Sequence, residues 1–314
     1  MGYNTILGAG GVVANGLAEL LLKDNQSVRL VSRTGQNIQG EVSVKADVSS
    51  LVQTVDAVEG SSIVYLCVGL AYDHKVWSEL WPRIMSNVIE ACKKSGAKLV
   101  FLDNVYAYGK VDGFMTESTP YNPCSKKGEI RLKIATELMG EVKAGNLKAL
   151  IARAADFYGP FADKTGVPNI LVFSPLFRRK KASWLGNDEV RHSFTFTPDI
   201  AKAMFALSKS ESAFNQVWHV PTAPDPLTGK EFIETAAREF GVNPQYRVLS
   251  KWLVRMAGLF QTTIAELYEM LYQDEFDYLF DSSKIQNAFG LQPVSYLQGI
   301  KETVQYYQQS GTGK

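Results

Sequence analysis

The first half of the chain alternates short apolar runs with amphipathic segments, and this alternation limits the possible folds more than any other feature. The runs NTILGA, SVRLVSR, EVSVKAD, SSIVYLCVG, AKLVFLD and LKALIAR read as strands, and segments of helical periodicity separate most of them. Strands that are apolar throughout are typical of a parallel sheet covered by helices on both faces. The pattern therefore predicts an α/β fold with a Rossmann-type, doubly wound parallel sheet.

The second half of the sequence has a different pattern. Prolines and glycines become frequent after Arg153, and later segments such as PDIAKAMFALSK and TGKEFIETAAREFG have helical periodicity. We therefore predict a dinucleotide-binding domain over residues 1–154 and a smaller, mostly helical substrate-binding region over residues 155–314. Segments around residues 190–220 are expected to return to the first domain.

A glycine-rich turn joins the first predicted strand to the first predicted helix. In ILGAGGVVANGLAELL, Gly8 permits a tight turn, Gly11 lets the backbone approach a phosphate, and Ala14 stands where a third glycine allows close packing. The N-terminus of the helix offers unpaired N–H groups and a positive dipole end, which favour a pyrophosphate. The strand–turn–helix context strengthens a glycine pattern that is weak evidence alone. The alternative is a tight turn without a ligand.

The end of the second predicted strand bears on the choice of nicotinamide cofactor. In many dinucleotide-binding domains an acidic residue there binds the ribose 2′-hydroxyl of NAD. This chain has Ser32, Arg33 and Thr34 instead, and an arginine with hydroxyl groups suits a 2′-phosphate. We expect NADP rather than NAD, the alternative being that Arg33 is an exposed loop cation.

The segment KADVSS follows the third predicted strand. It places Asp47 where its carboxylate can accept a hydrogen bond from the adenine amino group, with Val48 beside the ring; the alternative is that Asp47 caps the next helix. The expected cofactor-binding residues lie at or just beyond the ends of the first four strands, namely Gly8, Gly10, Gly11, Val12, Ser32, Arg33, Thr34, Asp47, Val48, Cys67, Val68 and Gly69.

Five segments in order along the chain resemble the extended branch of the short-chain dehydrogenase/reductase superfamily, which includes nucleotide-sugar epimerases and dehydratases. They are GAGGVVANGLAELLL, NVIEACKKSGAKLVFLDNVYAYG, ARAADFYGP, RHSFTFTPDIAKAM and DSSKIQNAFGLQPVSYLQGIKETVQYY. The resemblance covers nearly the whole chain. It implies an NAD(P)-dependent oxidoreductase or epimerase/dehydratase-like enzyme acting on a small carbonyl, an alcohol or a nucleotide sugar. It also implies a homodimer that pairs through the fourth and fifth helices.

The resemblance also identifies an unusual active-site helix in SKKGEIRLKIATE. Relatives carry a Ser or Thr four residues before the Tyr of a Tyr-Gly pair, and a Tyr-x-x-x-Lys motif about two dozen residues later. Counting from Tyr108 places Asn104 at the Ser or Thr position, Glu129 at the tyrosine and Lys133 at the lysine, which would also hold the nicotinamide ribose. The chain therefore resembles an atypical member of the superfamily. Glu129 either acts as a general base or forms an i,i+4 surface pair with Lys133.

Other side chains in segments expected to border the cleft are candidates for substrate binding. They are Tyr72, Tyr106, Tyr158 and Arg191. Arg191 suits a phosphate or carboxylate. For the tyrosines the alternative role is packing, because amphipathic rings commonly line cleft walls. The basic pair Lys126–Lys127, near the start of the active-site helix, is of a kind that is usually solvated.

Several classes of function are disfavoured. The net charge is +1 without a long basic run, which argues against nucleic acid and an anionic membrane surface as partners. The three cysteines and three histidines are scattered along the sequence, so we expect no metal site. We expect the cysteines to be reduced thiols. With neither a signal peptide nor an apolar run long enough to span a bilayer, we expect a cytoplasmic protein.

Two functional hypotheses remain open from the sequence. The first is an enzyme with an altered acid–base group, favoured because the chain keeps a full-length second region with polar residues such as Arg191. The second is a sensor or scaffold that holds NADP(H) without turnover, motivated by the missing tyrosine. The glycine turn argues against a third possibility, a protein of this fold without a cofactor.

Overall fold

The computed structural model describes residues 2–35, 42–258 and 262–311. Its strands are β1 (Tyr3–Leu7), β2 (Val28–Ser32), β3 (Val42–Lys45), β4 (Ser61–Leu66), β5 (Lys98–Asn104), β6 (Phe114–Met115), β7 (Ala149–Ala154), β8 (Asp156–Tyr158), β9 (Ala182–Leu185), β10 (Phe194–Phe196), β11 (Val217–His219), β12 (Tyr246–Leu249) and β13 (Leu279–Phe280). Glu41, the first residue of the predicted strand EVSVKAD, lies outside the described residues.

The α-helices are α1 (Val12–Lys23), α2 (Leu51–Val58), α3 (His74–Ser95), α4 (Lys126–Lys143), α5 (Ser174–Phe177), α6 (Thr197–Ser208), α7 (Gly229–Phe240), α8 (Lys251–Gly258), α9 (Thr262–Tyr268), α10 (Tyr272–Glu275), α11 (Ser283–Phe289) and α12 (Tyr296–Ser310). Short 3-10 turns cover Tyr106–Tyr108 and Glu211–Ala213, and a π-helical turn covers Asn169–Phe173. No helix within the described residues is long and apolar enough to cross a membrane.

The chain divides into two compact units. The first contains Met1–Ala107, Lys126–Arg153 and Ile200–Val220, and the second contains Tyr108–Ser125, Ala154–Asp199 and Pro221–Lys314. The assignment of dinucleotide binding to residues 1–154 and of substrate binding mainly to residues 155–314 stays a prediction.

The first unit is built on a seven-stranded sheet with the order β11-β7-β5-β4-β1-β2-β3. In the middle of this parallel sheet, Ile6 of β1 lies opposite Leu30 of β2 on one side and Tyr65 of β4 on the other, and all three side chains are fully buried. Their apolar character on both faces explains why these segments form central strands rather than edges. The prediction of a doubly wound parallel sheet is confirmed.

The strand order reverses direction at β1. The chain runs outward from β1 through β2 to β3, and then returns through α2 to β4 on the other side of β1. A crevice forms at such a switch point, beyond the carboxyl ends of the strands, and ligands of doubly wound proteins bind there. The glycine turn that follows Leu7 therefore stands at the position where a ligand is expected.

The second unit has short pairs of parallel strands around an aromatic core. The pairs are β8 with β10, β9 with β12 and β6 with β13. Tyr158 lies in the core, stacked on Phe173 and Tyr296, and the edge of Phe232 meets its ring. The helix α7 begins with a reciprocal capping box in which Thr228 binds the backbone N–H of Glu231 and the Glu231 carboxylate binds that of Thr228.

Candidate functional site

The glycine turn after β1 has a backbone that only glycine adopts readily. Gly8 has a φ of 98° and Gly10 a φ of 92°. A Cβ atom on Gly8 would lie 2.7 Å from the carbonyl carbon of Cys67, so the turn packs directly against the backbone just beyond β4. The Gly8 N–H donates a hydrogen bond to the carbonyl of Val31 at 3.0 Å. The turn is thereby tied to both neighbours of β1.

The helix α1 begins immediately after this turn without a side-chain cap. Gly11 is its N-cap residue, and the first turn of the helix carries no acidic side chain. Gly10 and Gly11 are exposed, whereas Ala14 is buried against the sheet. The first-turn N–H groups, which begin at Val12, and the positive end of the dipole suit an anion. These residues fit the pyrophosphate of a dinucleotide.

The residues after β2 and β3 form two turns with charged side chains. Ser32 accepts a hydrogen bond from the Gly35 N–H at 3.0 Å, and Arg33 and Thr34 are exposed. Hydrogen bonds from Ser49 lower the pKa of Asp47, and the positive charge of Arg33 lowers it further. Arg33 thus lies close enough to attract that carboxylate.

Asp47 and Val48 lie at the entrance to α2. The N-cap residue of α2 is Ser50, so Asp47 does not occupy the capping position. Its carboxylate closes a local turn instead, by accepting the N–H of Ser49 at 2.9 Å. Val48 is 9% exposed. The proposed contacts of these residues with an adenine ring stay predictions.

The loop after β4 runs beside the glycine turn. The Cys67 N–H donates to the Leu7 carbonyl at 2.8 Å. Burial raises the pKa of the Cys67 thiol to about 12, so the sulfur stays protonated at neutral pH and is a poor nucleophile. Val68 is half-buried, Gly69 is exposed, and a Cβ on Gly69 would meet nothing within 4 Å. The loop therefore leaves room beside the turn for a ligand.

Helix α4 places its charged residues on two opposite faces. Glu129 and Lys133, the pair predicted from the motif count, are exposed. Lys127 and Arg131 have the same i,i+4 spacing but are 0% and 7% exposed. Lys127 is therefore not solvated, in contrast to the expectation for its basic pair with Lys126, because the buried face of α4 turns it inward. The assignment of roles to Glu129 and Lys133 stays a prediction.

The buried face of α4 meets an ion-pair cluster at the carboxyl end of β5. Asp103 accepts two hydrogen bonds from Arg153, at 2.9 and 3.2 Å. The Arg131 Nε atom lies 3.5 Å from the other oxygen of the same carboxylate. Burial lowers the pKa of Arg131, while the charge of Asp103 opposes this effect. A single carboxylate thus holds two guanidinium groups in place.

Aromatic rings enclose the cations of α4. The Arg131 guanidinium lies 4.3 Å from the ring centre of Trp81 and 5.2 Å from that of Trp77. The Lys127 ammonium lies 4.5 Å from the ring centre of Tyr72. Such cation–π contacts stabilise desolvated cations. Tyr72, a predicted substrate residue, therefore contacts a lysine that the motif count did not identify.

The turn after β5 contains two further predicted residues. The Asn104 carboxamide oxygen accepts the N–H of Tyr106 at 3.2 Å, so this side chain shapes the turn. Tyr106 is 9% exposed and stacks on Trp77, with ring centres 6.3 Å apart. Asn104 is the last residue of β5 and Tyr106 lies just beyond it, at the carboxyl end of a central strand, where catalytic groups of this fold class lie.

In the second unit, the two predicted substrate residues differ in exposure. Tyr158 is 1% exposed, and burial raises its pKa well above the ordinary value. This burial favours the packing role for its ring. Arg191 is exposed, and its backbone N–H donates to Asp277 at 2.8 Å. Its side chain remains a candidate for an anionic group of a substrate.

A buried charge cluster in the second unit has no counterpart among the predicted site residues. His192 lies 3.2 Å from Asp156 and 3.7 Å from Asp274. Burial raises the pKa of Asp274 to about 7, against the attraction of His192. Burial acts against the charge of His192, but the hydrogen bond to Asp156 and the attraction of Asp274 raise its pKa overall.

Together, the sheet order and the uncapped glycine turn at its switch point define a dinucleotide-binding protein of the doubly wound α/β class. Residues 5–220 match the family model described as the NAD dependent epimerase/dehydratase family. The chain belongs to this family. The resemblance stated from the sequence and the expectation of an epimerase/dehydratase-like enzyme are thereby confirmed, and a nicotinamide dinucleotide is supported as the cofactor.

Several solved structures of epimerases, dehydratases and nucleotide-sugar complexes share the fold over nearly the whole chain, at low sequence identity. MoeE5 in complex with UDP-glucuronic acid and NAD has a TM-score of 0.82 at 19% identity, over 98% of this chain and 100% of that one. DesIV, a dTDP-glucose 4,6-dehydratase from Streptomyces venezuelae, has 0.82 at 16% identity, over 99% and 98%. The UDP-glucose 4-epimerase of Thermotoga maritima has 0.80 at 18% identity, over 98% and 99%. A search of curated protein sequences found no match.

Lys127 and Arg131 are not among the site residues predicted from the sequence. A signal for this pair exists in the sequence, since these residues lie two helical turns before the apolar positions Ile134 and Leu138, respectively, on the same stripe. Two adjacent lysines at a helix start nevertheless look equivalent until the packing of Tyr72 separates them.

Proposed function

We propose that the chain is an NADP(H)-dependent enzyme that moves a hydride to or from a nucleotide sugar or a small carbonyl or alcohol compound. The observation that carries this proposal is the exposed, uncapped start of α1 after a positive-φ glycine turn at the switch point of the sheet. In this proposal residues 1–154 hold the dinucleotide, and residues 155–314 mainly hold the substrate.

The preference for NADP over NAD rests on the end of β2. The exposed residues Arg33 and Thr34 follow β2, and the side chain at its last position is the Ser32 hydroxyl. A guanidinium group binds a 2′-phosphate through charge-assisted hydrogen bonds, which the 2′-hydroxyl of NAD cannot match. Asp47 lies near Arg33, and its carboxylate attracts the guanidinium group. Asp47 does not, however, occupy the end of β2, where an acidic residue would bind the 2′-hydroxyl of NAD.

Titration of the purified protein with NADPH and with NADH, followed by nicotinamide fluorescence, tests this proposal. We expect tighter binding of NADPH, and a loss of that preference in Arg33→Ala. The matched control is Lys94→Ala, which removes one cation near the end of α3. This position lies next to the amino end of β5, whereas Arg33 follows the carboxyl end of β2. Equal affinities for both nucleotides would contradict the role of Arg33, and binding of neither would contradict the function.

The substrate class follows from the family and from the polar residues beyond the strands. Two structures of similar fold hold UDP-glucuronic acid and UDP-glucose, respectively. We take a nucleotide sugar as the first class to test on this chain, with Tyr72, Tyr106 and Arg191 as candidate substrate residues. Incubation with UDP-glucose and NADP⁺, followed by nicotinamide absorbance and by product chromatography, gives the test.

The acid–base group differs from that of relatives, because α4 contains no tyrosine in any register. Counting along the family motif from Tyr108 assigns Glu129 and Lys133 to the positions of the Tyr-x-x-x-Lys pair. The same count assigns Asn104 to the position of the Ser or Thr, as a hydrogen-bond donor to a substrate carbonyl. The burial of Lys127 and Arg131, which have the same i,i+4 spacing, supports them as a competing assignment. Steady NADPH oxidation with a purified substrate would reject the alternative of a sensor without turnover, which the family match does not favour.

Two further features belong to the proposal. The first is a homodimer that pairs through α3 and α4, which correspond to the fourth and fifth helices of the relatives. Size-exclusion chromatography with light scattering should give twice the chain mass of 34.8 kDa. The second is a cytoplasmic location, which fractionation of the source cells would test.

A further inference from the structure

We infer that α4 presents Lys127 and Arg131 to the nicotinamide end of the bound dinucleotide, in the place that a Tyr-x-x-x-Lys pair takes in relatives. The inference rests on the proposed function, because it requires that the chain bind a nicotinamide dinucleotide. It goes further in naming the face of α4 that meets the ligand and the two side chains that contact it.

Lys127 and Arg131 lie on the face of α4 that is turned toward β5. Consecutive helical residues are about 100° apart, so positions 127 and 131 lie about 160° around the helix from positions 129 and 133. The face of Lys127 and Arg131 contacts Asp103, the residue before the last of β5. Ligands of doubly wound proteins bind beyond the carboxyl ends of the strands, so this face points to the site.

The loop after β4 connects the glycine turn to these cations. Gly8 packs against the backbone of Cys67, and the same loop continues through Gly69 to Tyr72. The Tyr72 ring lies under the Lys127 ammonium. The loop therefore leads from the expected pyrophosphate position at Gly8 to the buried face of α4.

Arg131 has hydrogen-bonding capacity that the described residues do not use. Its guanidinium carries five N–H donors. Asp103 already accepts two hydrogen bonds from Arg153, and Nη1 of Arg131 has no hydrogen-bond partner among the described residues although it is buried. A buried donor without a partner is costly, and ribose hydroxyls or a substrate oxygen would satisfy it.

The chemistry of the pair suits this position. Lys127 carries an ammonium group over the Tyr72 ring, and Asp103 and the Trp81 ring fix the orientation of Arg131. When a substrate carbonyl gains a hydride from the reduced cofactor, its oxygen needs one proton. Lys127 can give that proton, which leaves a neutral amine that regains a proton from water. Arg131 acts as a positioning residue for the ribose.

The experiment compares two ligands and two faces of the helix. NADPH is titrated into the wild type, Lys127→Met, Lys127→Arg and Arg131→Lys, and into Lys133→Met, which tests the competing assignment. The matched control is Lys143→Met, at an exposed position of the same helix. Adenosine 2′,5′-bisphosphate, which lacks the nicotinamide half, is titrated into the same set. Lys127→Arg keeps the charge, so it serves where Lys127→Met lowers the yield of folded protein.

We expect Lys127→Met to weaken NADPH binding about tenfold or more, the factor for one lost hydrogen bond to a charged group, and to leave adenosine 2′,5′-bisphosphate unchanged. Arg131→Lys should weaken NADPH selectively as well, whereas Lys127→Arg should restore most of the affinity. The control Lys143→Met should stay within about twofold of the wild type on this scale.

The opposite pattern would overturn the inference: selective loss of NADPH binding in Lys133→Met with none in Lys127→Met. Equal loss of both ligands in Lys127→Met and Lys127→Arg would also overturn it, since the effect would then lie in the fold. If the wild type binds neither ligand, the proposed function itself fails, which is a distinct result.

Discussion

Arg153 and Asp103 form a wholly buried ion pair, with Nη2 of the guanidinium 2.9 Å from the carboxylate. Removal of one member of such a pair leaves an uncompensated charge, which typically costs about 3–5 kcal/mol. We therefore expect Asp103→Asn to lower the free energy of unfolding by about this amount, measured by urea denaturation. Glu90→Gln, which removes the partner of the exposed Lys94, is the control and should change stability by less than about 1 kcal/mol. Equal effects would contradict the prediction.

The glycine turn gives a second prediction. Gly8→Ala adds a Cβ atom 2.7 Å from the backbone of Cys67 at a positive φ, so the turn must move or β1 and β4 must separate. We expect both a lower thermal midpoint and a loss of NADPH binding, measured by scanning fluorimetry and titration. Gly60→Ala has a positive φ but meets nothing within 4 Å. It should lower stability without changing the affinity for NADPH, and normal NADPH binding by the Gly8→Ala variant would refute the argument.

Two helical glycines should respond to alanine in opposite directions. On Gly299 of α12, a Cβ would overlap the phenol oxygen of Tyr158, so Gly299→Ala should destabilise the protein. On Gly140 of α4, a Cβ meets nothing within 4 Å, and alanine is the better helix former by roughly 0.8–1 kcal/mol. Gly140→Ala should therefore raise the midpoint of denaturation. Midpoints that shift in the same direction for both variants would show that local packing does not control these sites.

The cluster of His192, Asp156 and Asp274 predicts a dependence of stability on pH. Burial raises the pKa of Asp274 from 3.8 to about 7, so the folded state holds a proton that the unfolded state has released. Stability from this group is present below the unfolded pKa near 4 and is lost as the pH rises toward 7. The raised pKa of His192 acts in the same direction, since its contribution is lost as the pH rises above 6.5.

The variant Asp274→Asn isolates this effect because it keeps the shape and removes the titration. The stability of the wild type relative to this variant should fall between pH 4 and pH 7, by at most about 4 kcal/mol. Denaturation curves at several pH values measure it. Asp225→Asn, at an exposed position, is the control, and its stability relative to the wild type should not follow this trend. A difference independent of pH would contradict the assignment of the proton to Asp274.

Six of the seven strands of the central sheet, β1 to β5 and β7, could be predicted from the sequence because most of them are apolar runs that are buried on both faces. Strands of two or three residues, such as β6, β11 and β13, carry no such periodicity, since their pairing depends on distant segments. Helix α4 could be predicted, but the burial of Lys127 could not, because Tyr72, which covers its ammonium, lies 55 positions away in sequence. Loops between the motifs of a family also vary in length, so counting along a motif does not fix which residue takes a given place.

The late position of β11 in the chain has a consequence for biosynthesis. This outermost strand begins at Val217, whereas its neighbour β7 ends at Ala154, so 62 residues separate them. At a translation rate of roughly 5–20 residues per second, β11 is synthesised about 3–12 s after β7, and β7 has no partner on that side until then. During that interval the edge of β7 is a template on which a neighbouring nascent chain can add a strand. Codons between positions 154 and 217 that slow the ribosome would lengthen this interval and lower the yield of folded protein.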